Sequence, residues 1–222
     1  RVLDVACGTG VVAREVADRL GAAAVVGVDL NQAMLAVARR LRPDIAWRQA
    51  DAAALPFADD SFDAVLCQAA LMFFPDRAGA LREMVRVAKP HGKVVAQVWD
   101  DLGRQPAYGP FVEVVADRLG AEAKRVLDSY WVLGDIDLVR ALFEAAGLEV
   151  TEARTHLETA RFPSVEEMLR AEIEATPLID RISDEDHARV LADAGDALRG
   201  FEREDGTADI PVGGHVVVGR KR

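Results

Sequence analysis

Arg1 to Gly10 narrow the choice of fold more than any other stretch of the 222-residue chain. Val2, Leu3 and Val5 read as a short buried strand, and Gly8 and Gly10 supply a turn tight enough to bring backbone against a ligand. From Val11 to Leu20 apolar residues return at Val12, Val16 and Leu20, a four-residue recurrence that fits one helical face. Strand, glycine turn and helix in that order open an α/β sheet in which a ligand lies beyond the carboxyl end of the strand, facing N–H groups at the helix start.

The acid inside this stretch selects among ligands. Gly8-Thr-Gly-Val-Val-Ala13 satisfies a permissive dinucleotide pattern, and Asp29 lies close to the ~20 residues further on at which a ribose-binding acid is expected. Asp4, however, puts a carboxylate at the mouth of the same turn, where a pyrophosphate meets repulsion and an ammonium group finds a partner. A ligand with a ribose, an ammonium and no phosphate fits that charge, and S-adenosylmethionine (SAM) is such a ligand.

The pattern of strand then helix continues. Ala23 to Val28 is an apolar run of strand length ending in Asp29, which either caps the next helix, Asn31 to Arg40, or binds ribose. Pro43 ends that helix, and Ile45 to Gln49 is a third strand leading to Asp51, either a solvated loop acid or an acceptor for an adenine amino group. Phe62 to Cys67 is a fourth strand, followed by a helix with Ala78, Leu81, Met84, Val85 and Ala88 on its inner face. Lys89-Pro-His-Gly92 closes that helix, and Lys93 to Trp99 is a fifth strand. This alternation predicts a doubly wound, mostly parallel sheet.

Leu3-Asp-Val-Ala-Cys-Gly-Thr-Gly10, Val28-Asp29, Asp51-Ala52 with Leu55 to Asp63, and Lys89-Pro-His-Gly92 before an apolar strand resemble, in order, the motifs of class I SAM-dependent methyltransferases. The resemblance is to their small-molecule branch, which includes quinone-biosynthesis C-methyltransferases. It implies a seven-stranded Rossmann-like sheet with helical lid insertions and SAM as cofactor. It further implies that Asp4, Ala6, Gly8 and Gly10 line the methionine end, and that Asp29 binds both ribose hydroxyls. Leu30 and Met34 would border the adenine, Asp51 and the Ala52 N–H would read its edge, and Gln68 would flank the methionine moiety. Ala6 stands where the family often has glycine.

After Trp99 the pattern changes. Residues 100–134 contain an amphipathic helix from Phe111 to Leu127, and their position directly after a central strand, on the ligand side, suits a lid. Residues 164–200 form a second insertion, with capping-box spacing at Ser164 and Glu167, a helix that Pro177 stops, and another helix from Ser183 to Leu198. Between them lie a helix from Asp135 to Ala146, with Gly147 as its C-cap, and a half-exposed strand from Leu148 to Leu157. Ile210 to Val218 is the last strand, which by resemblance lies between the fifth and sixth and runs antiparallel. Tyr108, Tyr130 and Trp131 either contact the substrate or pack the lid core. His156 and His215 fall near strand ends and are either structural or face the lid, while His91 and His187 read as surface residues.

The formal net charge of −10 argues against a nucleic-acid partner. No apolar run approaches the ~18 residues that cross a bilayer, and no signal-peptide pattern opens the chain, so neither a membrane span nor secretion is expected and the cytoplasm is the default. Cys7 and Cys67 lack zinc spacing, and with the scattered histidines they form no metal set. The chain opens inside its first strand, so an upstream segment is expected to be missing. The expectation is one methyltransferase domain acting on a small-molecule acceptor, with a nicotinamide-dependent oxidoreductase and a non-catalytic SAM-binding regulator as rivals.

Overall fold

The computed structural model describes residues 1–176, 178–179 and 182–222. Its strands are β1 (Val2–Val5), β2 (Val25–Asp29), β3 (Ala46–Gln49), β4 (Phe62–Gln68), β5 (Ala88–Trp99), β6 (Leu148–Phe162) and β7 (Ala208–Lys221), in the sheet order β3-β2-β1-β4-β5-β7-β6. Its helices are α1 (Val11–Leu20), α2 (Gln32–Leu41), α3 (Arg77–Val87), α4 (Tyr108–Asp128), α5 (Ile136–Ala145), α6 (Val165–Glu174) and α7 (Asp184–Leu198). The chain divides into two compact units.

The first unit comprises Arg1–Val98, Ile136–Arg154 and His215–Arg222. The pairs β1·β2, β1·β4, β2·β3 and β4·β5 are all parallel, with Asp4 level with Gly27 on one side and Leu66 on the other. Every residue of β1 is buried, as a strand flanked on both edges and covered on both faces must be. Where β6 and β7 pair, Glu149 meets Arg220 and Thr151 meets Val218, so numbers rise on one strand as they fall on the other. That is an antiparallel register, which makes the sheet mixed but mostly parallel.

Several boundaries differ from expectation. β2 starts at Val25 because Gly21 (φ 87) leads into a short 3-10 turn over Ala22–Ala24. β5 already pairs at Ala88 with Phe62. It then bulges through Lys89 to Gly92, with His91 at φ 62, and resumes at Lys93 opposite Ala64. The Lys-Pro-His-Gly segment is therefore a strand bulge. Asp76 caps α3 through Gly79 N at 2.7 Å and sets its phase, so Ala80, Leu81, Met84 and Val87 turn inward while Ala78 is exposed and Val85 half-buried. The strand β6 runs on to Phe162, past Leu157.

The second unit comprises Trp99–Asp135 and Thr155–Gly214. Its core is helical: Phe111, Val115 and Leu127 of α4 meet Met168 and Leu169 of α6 and Val190 and Leu198 of α7. The helix α4 begins earlier than expected, at Tyr108, and breaks at Gly120, whose φ of 83 and ψ of −179 are open to glycine. Ser164 and Ser183 cap α6 and α7 by accepting from the third N–H of each, at 3.1 Å. Pro177, expected to stop α6, lies outside the described residues; the helix ends at Glu174. Among the described residues no helix is long and apolar enough to cross a membrane.

Candidate functional site

In the first unit the carboxyl ends of β1, β2 and β3, with the turns that follow, surround a cavity of about 720 Å³, well within the size range of small-molecule sites. Ala6, Gly8, Asp29, Leu30, Met34, Asp51 and Ala52 all line it. Parallel strands bring these positions together: each strand delivers its last residue to the same edge of the sheet, as an open α/β sheet requires.

The glycine turn is built from left-handed residues at Ala6 (φ 54), Gly8 (φ 55) and Gly10 (φ 81). A Cβ on Gly8 would meet nothing within 4 Å, so this backbone is open for close approach. Gly10 has a different task. A Cβ there would stand 2.3 Å from the Trp47 indole, which also lies 2.3 Å from where a Cβ on Gly27 would be. Gly10 therefore makes room for Trp47 and, against expectation, does not line the cavity.

Asp4 is held back from the cavity. It is 2% exposed and outside the cavity lining, because β1 is enclosed by β2 and β4 and its third residue lies under the turn. Its Oδ2 accepts from the Ala13 N–H at 3.0 Å, so the first turn of α1 already holds an acid. Burial pushes the Asp4 carboxyl up to about 7, with the Ala13 hydrogen bond pulling it down and Asp29 adding a smaller rise.

Asp29 is held from both sides. Its Oδ2 accepts from Gly8 N at 2.7 Å, and its Oδ1 accepts from Asn31 N at 2.7 Å. The cap of α2 is Asn31, whose Oδ1 accepts from Ala33 N at 2.9 Å and Met34 N at 3.3 Å. Each Asp29 oxygen keeps a further lone pair, so two adjacent hydroxyls can be accepted together. Beside it, Leu30 is 65% exposed and Met34 44%, and Phe73 across the cavity is 45% exposed. Three large apolar side chains at one cavity mark a face for an apolar ring. Asp51 caps the following turn through Ala53 N at 2.9 Å.

Gln68 ends β4 opposite Gln97 and does not reach the lining. Its place is taken by Ala69, Ala70, Phe73 and Phe74, which sequence reasoning missed. The signal was the run Phe73-Phe74-Pro75, apolar where a solvated loop would be polar. Cys7 and Cys67 are free, and burial pushes both thiols up, Cys67 to about 12, with Asp4 adding to each. Both are packing thiols rather than thiolates.

In the second unit Tyr108, Tyr130 and Trp131 line a cavity of about 80 Å³ together with Trp99 and Glu172. The Tyr108 and Trp131 ring centroids are 5.2 Å apart. The Tyr108 hydroxyl donates to Glu172 Oε1 at 3.0 Å, and burial pushes the Glu172 carboxyl above the usual range. Glu172 was not foreseen, although it falls seven residues after Val165 and four after Met168, on the buried face of α6. His156 lies apart from this cavity, half-buried, with Nδ1 unbonded among the described residues. His215 is buried in β7, and His187 is half-buried rather than solvated.

Residues 3–96 match the family model described as Methyltransferase domain. A demethylmenaquinone methyltransferase of Renibacterium salmoninarum is 44% identical over 119 residues, covering 54% of this chain and 48% of that protein. The ubiquinone/menaquinone biosynthesis C-methyltransferase UbiE of Idiomarina loihiensis is 33% identical over 166 residues, covering 67% and 66%. The chain thus spans about half the length of the first and about two thirds of the second. Phosphoethanolamine N-methyltransferase 2 of Haemonchus contortus, solved with SAM, superposes with a TM-score of 0.57 at 20% identity, covering all of this chain and 48% of that one, and so shares the fold. By its matched domain, its relatives and its sheet order, the chain belongs to the class I SAM-dependent methyltransferases.

Proposed function

We propose that the protein transfers a methyl group from SAM to a small, partly apolar acceptor in the cytoplasm, with no nucleic-acid partner. The observation that carries this is Asp29, fixed by Gly8 N and Asn31 N at the rim of the 720 Å³ cavity with lone pairs left for a diol. Leu30, Met34 and Phe73 offer apolar surface for an adenine, and Asp51 with the Ala52 N–H stands where its edge would be read. Gly8 lets the methionine end lie against backbone, and Ala6 borders the same space.

When bound, SAM would supply an electrophilic methyl on a sulfonium, a good leaving group, so alignment and exclusion of water carry much of the acceleration, and a base is called for only where the acceptor must lose a proton. The residues of this chain therefore bind, orient and shield. The names of the two relatives make a demethylated quinone precursor the first acceptor to assay. Calorimetric titration with S-adenosylhomocysteine (SAH) against NADH tests the reading. SAH alone is expected to bind, and binding of NADH alone overturns it in favour of an oxidoreductase. Accumulation of SAH over many turnovers with an acceptor excludes a non-catalytic regulator.

A further inference from the structure

We propose that the second unit carries its own binding site for a small alkylated ammonium group, an aromatic cage of Trp99, Tyr108, Tyr130 and Trp131 with Glu172 as its one anionic wall. This goes beyond the methyl-transfer reading and does not rest on it, since every residue involved belongs to Trp99–Asp135 or Thr155–Gly214.

The chain has two tyrosines and three tryptophans, and both tyrosines and two of the tryptophans line this one cavity. Aromatic side chains gathered around so small a space are a usual means of holding a cation that cannot donate hydrogen bonds well. The carboxylate completes the pattern. Glu172 occupies a position on α6 whose neighbours Val165, Met168, Leu169 and Ile173 are all buried apolar residues. Packing alone calls for Leu or Met there.

Instead the carboxyl is held by the Tyr108 hydroxyl at 3.0 Å, and among the described residues no Lys, Arg or His forms an ion pair with it. A half-buried acid either takes up a proton or calls for a positive charge to compensate it. The cage offers that charge a seat beside four aromatic side chains.

Size and donor set exclude the other simple occupants. At about 80 Å³ the cavity is far below the ~300 Å³ at which pockets for drug-sized ligands begin, so it takes a small head group and not a large ligand. Among the described residues that line it one carboxylate stands alone, too few for calcium or magnesium. A small alkylated ammonium head matches the aromatic lining and the charge.

The test uses the full chain, with and without saturating SAH, titrated calorimetrically with tetramethylammonium, choline and 3,3-dimethylbutanol, the uncharged isostere of choline. Both cations are expected to bind saturably in either condition, and the isostere at least about tenfold more weakly. Glu172→Gln, which can still accept from Tyr108, is expected to lose about tenfold or more in cation affinity with its thermal unfolding unchanged. Trp131→Leu, which removes a π face and leaves the charge, is expected to weaken both cations too. Equal binding of the isostere, full affinity in either variant, or no saturable signal with either cation overturns the proposal. Failure of SAH to bind would strike the methyl-transfer reading alone, because the cation titration is read without it.

Discussion

The backbone N–H of Gly8 and the carboxylate of Asp29 are joined across 21 residues by a 2.7 Å hydrogen bond, which locks the turn after β1 to the tip of β2. One acid thus shapes the glycine loop and presents its remaining lone pairs to the cavity. Asp29→Ala is expected to weaken SAH binding by about 1–3 kcal/mol, the scale of leaving buried polar groups unpaired. Calorimetric titration checks it, and an unchanged dissociation constant would remove Asp29 from the ribose role.

The two glycines of the turn should separate stability from binding. At Gly10 a methyl would collide with the Trp47 indole at 2.3 Å and force a side chain into φ 81, so Gly10→Ala is expected to cost roughly 2–4 kcal/mol of unfolding free energy. Gly8→Val meets no neighbour within 4 Å and bears mainly the strain of φ 55, yet it fills the space the cofactor needs. Denaturant unfolding and SAH titration on both variants should show the first chiefly unstable and the second chiefly unable to bind.

Ala6 carries strain that its sequence neighbours do not reveal. At φ 54 it pays about 1–2 kcal/mol for a left-handed conformation, only partly offset by its smaller unfolded-state entropy. Ala6→Gly should therefore raise stability by up to about 1 kcal/mol, a rise of a few degrees in Tm. A lower Tm by scanning calorimetry would contradict this.

Asp4 makes stability depend on pH in a stated direction. Its folded carboxyl is raised from 3.8 to about 7, so between those values the folded chain holds a proton that the unfolded chain has lost. The resulting stability is fully present below about 4 and is lost as pH rises through 7. Asp4→Asn removes this dependence, and the gap between variant and parent should shift in the variant's favour by about 1–3 kcal/mol from pH 5 to pH 8. Parallel pH profiles for the two proteins would show that Asp4 is not the titrating group.

Much of the first unit was legible because its signals are local. Val2 to Val5, the helix after Gly10 and the run Ala23 to Val28 each declare themselves by periodicity and punctuation, and the structure places them within a residue or two. The strand tips followed, since a parallel sheet sends them to one edge. Side-chain direction was harder to read. Asp4 and Gly10 sit inside the recognised motif, yet one points under the turn to Ala13 and the other backs onto Trp47 from a distant strand. Gln68 gave way to Ala69, Ala70 and two phenylalanines once the chain turned at Ala69 (φ 52).

The amino-acid order alone determined the alternation of strand and helix, the position of the glycine turn and the acids that follow the second and third strands, because those depend on residues within a few places of one another. Only the folded chain decided which of them share a cavity, that Asp29 bonds Gly8, and that both tyrosines gather around Glu172. Such pairings join residues tens of positions apart. They are set by how parallel strands register and helices pack, and no local pattern encodes that geometry.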